Sequence, residues 1–130
     1  MRSYHVAAVS LAIGCDHKWL DNVITQYSPA GVTRSQRGVA RRVSVDGALV
    51  IAVARRLSVD LGTPMTRALA LSEQLVESGG RLACGGGTGL ALDIEAVRGS
   101  IERRLGDAAE VLVTPRRGRP PRGRGRADER

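Results

Sequence analysis

Residues 6–25, VAAVSLAIGCDHKWLDNVIT, read as two short helices joined by a tight turn. Val6, Val9 and Ile13 recur at helical spacing in the first, Gly14-Cys15 makes the turn, and Leu20, Val23, Ile24 and Tyr27 line one face of the second. Asp16 stands where an N-cap belongs, with a carboxylate able to accept from the first free N–H groups of the helix that follows. The opposite face of that helix is polar throughout, with His17, Lys18, Asp21, Asn22, Thr25 and Gln26. Such a face is suited to a groove lined with hydrogen-bonding groups.

Beyond Tyr27, Ser28-Pro29-Ala30-Gly31 is a turn cluster. VTRSQRGVARRVSVDG follows it, and Ser35-Gln36-Arg37-Gly38 could close a short hairpin there. Ser44 then offers an N-cap for a long helix from Val45, with Leu49, Ala52, Val53 and Leu57 inward. Val9, Ile13, Cys15, Leu20 and Val23 fall at the distances from Gly14 that helix-turn-helix proteins keep around their turn glycine. Ser10 departs from that pattern, since the family favours alanine there. An amphipathic helix pair of any origin gives a related pattern, so the flanking order decides. Helix, turn, helix, basic hairpin and an arginine pair leading into a capped helix resemble the winged DNA-binding domain of the MerR family and small antitoxins built on that fold. The resemblance covers about residues 4–78.

That resemblance implies double-stranded DNA as partner. His17, Lys18, Asn22, Thr25 and Gln26 would form the recognition face, and Arg34, Arg37, Arg41 and Arg42 would hold phosphates from the wing, with Gln36 at its tip. Asn and Gln can make paired bonds to adenine, and Lys can reach guanine or phosphate. Arg41 or Arg42 could instead pair with an acid of the fold, because only one of two adjacent side chains readily faces a groove.

Charge is consistent with a polyanion. The chain of 130 residues carries a net charge of +7. It is concentrated in residues 34–56, with six arginines against Asp46, and in residues 116–130, with seven arginines against two acids. This length allows one small core and leaves no room for a separate catalytic domain, so no catalysis is expected. From Thr114 the sequence TPRRGRPPRGRGR has no apolar residue to bury and is expected to be disordered when free. Within it, Arg116, Arg117, Gly118, Arg119 and Pro120 resemble an AT-hook, which implies a minor-groove contact to A·T-rich DNA. A basic arm for any nucleic acid, RNA included, is the alternative.

Between these regions, Thr63-Pro64 opens a helix through about Glu77, with Thr63 as cap and Met65, Leu69, Leu75 and Val76 inward. RLACGGGTGLALDI reads as two strands joined by Gly85–Gly89. A last helix, Asp93–Leu105, carries the stripe Ile94, Val97, Ile101 and Leu105 as core or dimer seam, and its opposite face could pair Glu95, Arg98 and Glu102. The expected organisation is therefore mainly α with short β-hairpins: a winged helix-turn-helix domain over 1–78, a hairpin-plus-helix extension over 79–113 for dimerisation or partner binding, and the tail 114–130. A homodimer is expected. If the chain is an antitoxin, a cognate toxin would be held by 79–113.

Other signals carry less. The GGGTG run lacks the lysine and hydroxyl residue of a phosphate-binding loop. Cys15, Cys84, His5 and His17 lack metal-ligand spacing, so neither metal nor cofactor is implied, and buried free thiols in a reducing cytoplasm are expected. Trp19 reads as packing, and one Trp, two Tyr and no Phe give little material for base stacking. Met1–Cys15 also resembles a lipoprotein signal ending at Gly14-Cys15, although its apolar run is short and the next residues continue a helix pattern. No stretch is long enough to cross a bilayer.

Overall fold

The computed structural model describes residues 2–33 and 41–113. Its first element is one that periodicity does not announce. Strand β1, Ser3–His5, pairs antiparallel with β2, Arg42–Ser44, in the register Ser3 to Ser44, Tyr4 to Val43 and His5 to Arg42. Alternation along each strand sends Tyr4 and Val43 into the core and leaves their neighbours outside. The other edge of β2 receives residues 31–33. Val32 bridges Val43, the Ser44 N–H donates to Gly31 O at 2.9 Å, and the Thr33 N–H donates to Arg42 O at 2.9 Å. The expected hairpin tip, Ser35–Gly38, lies outside the described residues, but its two stems run antiparallel side by side.

Helix α1, Val6–Ile13, ends at Gly14, whose φ of 82° is left-handed and suits a residue without Cβ. The Gly14 and Cys15 N–H groups both donate to Ser10 O, at 2.9 and 3.0 Å, and the chain turns into α2, His17–Tyr27. Asp16 holds the N-cap position, but its carboxylate makes no capping bond, which corrects the sequence expectation. Asp16 is exposed, so water can serve both its carboxylate and the free N–H groups of the helix end. Helix α2 buries Leu20, Val23 and Ile24 as expected and half-buries Tyr27. Helix α1 buries Val6, Ala8, Val9, Ser10 and Ala12, while Ile13 is only half-buried. A single stripe was expected on α1; burial is wider because a second element, described below, also packs on it.

The long helix α3, Val45–Leu61, starts where expected, with Ser44 Oγ accepting from the Gly47 N–H at 3.0 Å. Gly31 and Gly47 explain how the preceding chain fits against this start. A Cβ on Gly31 (φ 85°) would sit 2.6 Å from Gly47 Cα, so both backbones approach more closely than side chains would allow. Besides Leu49, Ala52, Val53 and Leu57, α3 buries Ala48, Val50, Ile51 and Ala54. That near-continuous burial marks it as the central helix. Helix α4, Met65–Glu77, packs on it, and the buried Ser72 hydroxyl donates to Val50 O at 2.6 Å. Pro64, not Thr63, occupies the α4 N-cap position. Pro64 itself is extended, with a ψ of 144°, so regular helix begins at Met65. Leu69 and Leu75 are buried, Met65 and Val76 half-buried.

Strands β3, Arg81–Gly85, and β4, Thr88–Ala91, form the expected hairpin with a narrower turn at Gly86-Gly87. They are exposed except for Leu82 and Leu90, paired residues that pack against the core. Helix α5, Ile94–Val113, runs eight residues past the expected end at Leu105. Gly106 weakens the local helix signal, but Ala108 beyond it is buried, so tertiary packing carries the helix on. Asp93 caps α5, accepting from the Ala96 N–H at 3.1 Å.

Ile94, Ile101 and Leu105 are buried within the monomer, and Ile101, Leu105 and Ala108 share one cluster with Val9, Ala12, Leu20 and Ile51. The α5 stripe is thus core, and α5 is the second element covering α1. On its outer side Arg98 bonds Asp46 of α3 at 2.7 Å rather than pairing within the helix with Glu95 or Glu102. That bond holds the Arg98 guanidinium, and with it α5, to the first turn of α3, and it raises the Arg98 pKa, chiefly through the hydrogen bond itself. Trp19 and Val97 pack against both core clusters, as the packing reading of Trp19 expected, and Arg55 of α3 lies over the Trp19 ring at 5.7 Å. No helix among the described residues is long and apolar enough to cross a membrane.

Candidate nucleic-acid interface

Helix α2 fixes the candidate surface. With Leu20, Val23 and Ile24 anchored in the core, helical geometry turns His17, Lys18, Asp21, Asn22, Thr25 and Gln26 outward, and all six are exposed. Lys18, Asn22 and Thr25, at spacings of three and four, follow one line along the helix. Gln26 lies to one side of that line and Asp21 to the other. The five recognition-helix residues named from sequence therefore share one continuous solvent-facing surface.

The two described basic residues beside the hairpin are sorted by strand alternation. Arg42 turns to β1: its Nε donates to Ser3 Oγ at 3.1 Å, its Nη2 to Ser3 O at 2.7 Å, and its Nη1 lies 2.9 Å from His5 Nε2. Arg41 turns the other way, onto α2. Its Nη1 donates to Thr25 Oγ1 at 2.9 Å and to Asp21 Oδ1 at 3.3 Å. An arginine expected on the wing thus rests against the exposed face of the second helix. Arg34, Gln36 and Arg37, and the tail residues Arg116, Arg117, Gly118, Arg119 and Pro120, lie outside the described residues.

Sequence reasoning placed Asp21 on the outer face without giving it a role, and its link to Arg41 spans twenty residues. The arginine pair already pointed to an acid of the fold as partner for one of its members; the structure makes that member Arg41 and the acid Asp21, on the nearest polar face. Arg55 over Trp19 adds a cation beside the start of α2.

The thiols differ from expectation in one respect. Cys15 is half-buried, but Cys84 is exposed on β3. Burial pushes the Cys15 thiol above its ordinary pKa range, opposed by the nearby Arg55 charge and reinforced by Asp16. Since the unfolded chain would lose this proton first, the linked stability is fully present at neutral pH. It declines only as pH rises through the ordinary thiol range toward the raised value. At neutral pH an alkylating reagent should modify Cys84 before Cys15; mass spectrometry of partially labelled protein checks this, and faster labelling of Cys15 would contradict it.

Comparison with known proteins gives no match, whether to a family model, to a curated protein or to a solved structure.

Proposed function

We propose that this chain is a winged helix-turn-helix DNA-binding regulator, repressor-like, acting without catalysis in the cytoplasm as a homodimer. The observation that carries the reading is the exposed polar face of α2, Lys18, Asn22, Thr25 and Gln26, beside a three-stranded arrangement of β1, β2 and residues 31–33. In this reading α2 enters the major groove, Asn22 and Gln26 read base edges, and Arg34 and Arg37 hold phosphates. Because the α5 stripe is internal, a dimer would use another surface. An antitoxin role is the second reading, favoured by the exposure of β3 and β4, which a protein partner could cover.

Selection from a pool of random-sequence duplexes by the full chain tests the proposal: enrichment of one sequence supports it, and none refutes it. The tail adds a separate expectation. Removing residues 114–130 should weaken binding to every duplex, reduce the salt dependence by about 0.9 in log–log slope per lost phosphate contact, and weaken A·T-rich flanks more than G·C-rich ones. Salt titrations on both probes check this. Equal loss on both would reduce the tail to a non-specific basic arm.

A further inference from the structure

We infer that Arg41 is a specificity-determining residue, held by Asp21 and Thr25 as a fixed fork for reading a base rather than as a clamp for a phosphate. The inference rests on the proposed DNA-binding role of α2. Both described bonds of Arg41 leave from one terminal nitrogen, Nη1, to Thr25 Oγ1 at 2.9 Å and Asp21 Oδ1 at 3.3 Å. A guanidinium carries five N–H donors in a rigid plane, so an anchor at Nη1 fixes the plane while other donors remain to be presented. Asp21 and Thr25 stand one helical turn apart, Thr25 on the line of Lys18 and Asn22 and Asp21 beside it, which puts the guanidinium on the surface assigned to the major groove.

Charge decides between the two roles. A carboxylate on a DNA-facing helix is repelled by phosphates and cancels the cation it touches, so Asp21 would weaken a phosphate clamp. It helps a base reader. Recognition of guanine by arginine needs two parallel N–H groups aimed at O6 and N7, and a long side chain ordered before binding loses less conformational freedom when it binds. The Arg41 side chain is already restrained, with 24 % of its surface exposed against 53 % for Asp21. Arg42 does not share the position, because its donors are engaged by Ser3 and His5.

The test compares the full chain with Arg41→Lys and Asp21→Asn on the duplex enriched by the unaltered protein and on a scrambled duplex of the same composition. Arg41→Lys keeps the charge and removes the fork. It should lower the ratio of specific to scrambled affinity roughly ten- to a hundredfold, with scrambled binding and salt slope little changed. Asp21→Asn removes a negative charge yet should weaken binding to the enriched duplex, leaving the scrambled duplex unchanged or bound more tightly. Both side chains are at the surface, and an unchanged thermal midpoint shows that the variants are folded. An unchanged ratio in Arg41→Lys, or equal tightening on both duplexes in Asp21→Asn, overturns the inference while leaving the DNA-binding proposal intact. If the unaltered chain enriches no sequence, the proposal itself fails and the inference falls with it.

Discussion

Replacing Leu105 with alanine should lower folding stability by about 2–5 kcal/mol, a large share of the 5–15 kcal/mol typical of a whole domain. Leu105 is fully buried, in a cluster with Val9, Ala12, Leu20 and Ile51. Its loss would leave a void against the very helix pair that presents the candidate interface. The partly relaxed cavity adds to the lost transfer energy, which is why the range exceeds that of simple apolar burial. Leu11 on α1 is 57 % exposed and provides the control, since its alanine variant should stay within about 0.5 kcal/mol of the parent. Denaturant unfolding of both variants checks the difference. For the same reason a chain ended at Ser78 should lose its cooperative transition, because α1 would be stripped of α5. A Leu105→Ala protein as stable as the parent would mean that α5 is an appendage rather than part of the core.

The second large effect concerns recognition. Asn22→Ala combined with Gln26→Ala should remove about 1–3 kcal/mol of discrimination per lost base contact, measured as the ratio of affinities for the enriched and a scrambled duplex. Stability should hardly change, because both side chains are exposed and alanine is the better helix former. The two positions lie four residues apart on one helix face, so their effects should couple, and the single variants are needed to separate them. A double variant that folds and discriminates as well as the parent would remove α2 from base readout. One that unfolds would make these side chains structural.

What was legible in the sequence is what local periodicity and chain chemistry control. The turn at Gly14, the Ser44 cap and the inward faces of α2 and α3 all follow from spacings of three or four residues or from one special backbone angle. Strand β1 escaped because three residues carry no alternation to read; it exists because β2, some forty positions later, offers an edge. The α5 stripe was visible, but its destination was not, since periodicity gives a buried face without naming what buries it. Pairing of one of Arg41 and Arg42 with an acid of the fold was legible, but not that the acid is Asp21, and Arg98 was expected to pair locally whereas it reaches Asp46; both partners lie on elements distant along the chain. Asp16 shows the reverse failure. Its residue type and position fit an N-cap, but its carboxylate makes no capping bond, whereas the equally exposed Asp93 does cap α5.

The most direct test is a titration of the isotopically labelled full chain with the enriched duplex, followed through its backbone amide resonances. The largest shifts should fall on His17–Gln26 and on residues 31–42, with β3, β4 and the buried face of α5 little affected. Shifts confined to the β3–β4 hairpin, or to residues 114–130 with α2 unchanged, would contradict the assignment of α2 as the DNA-reading helix.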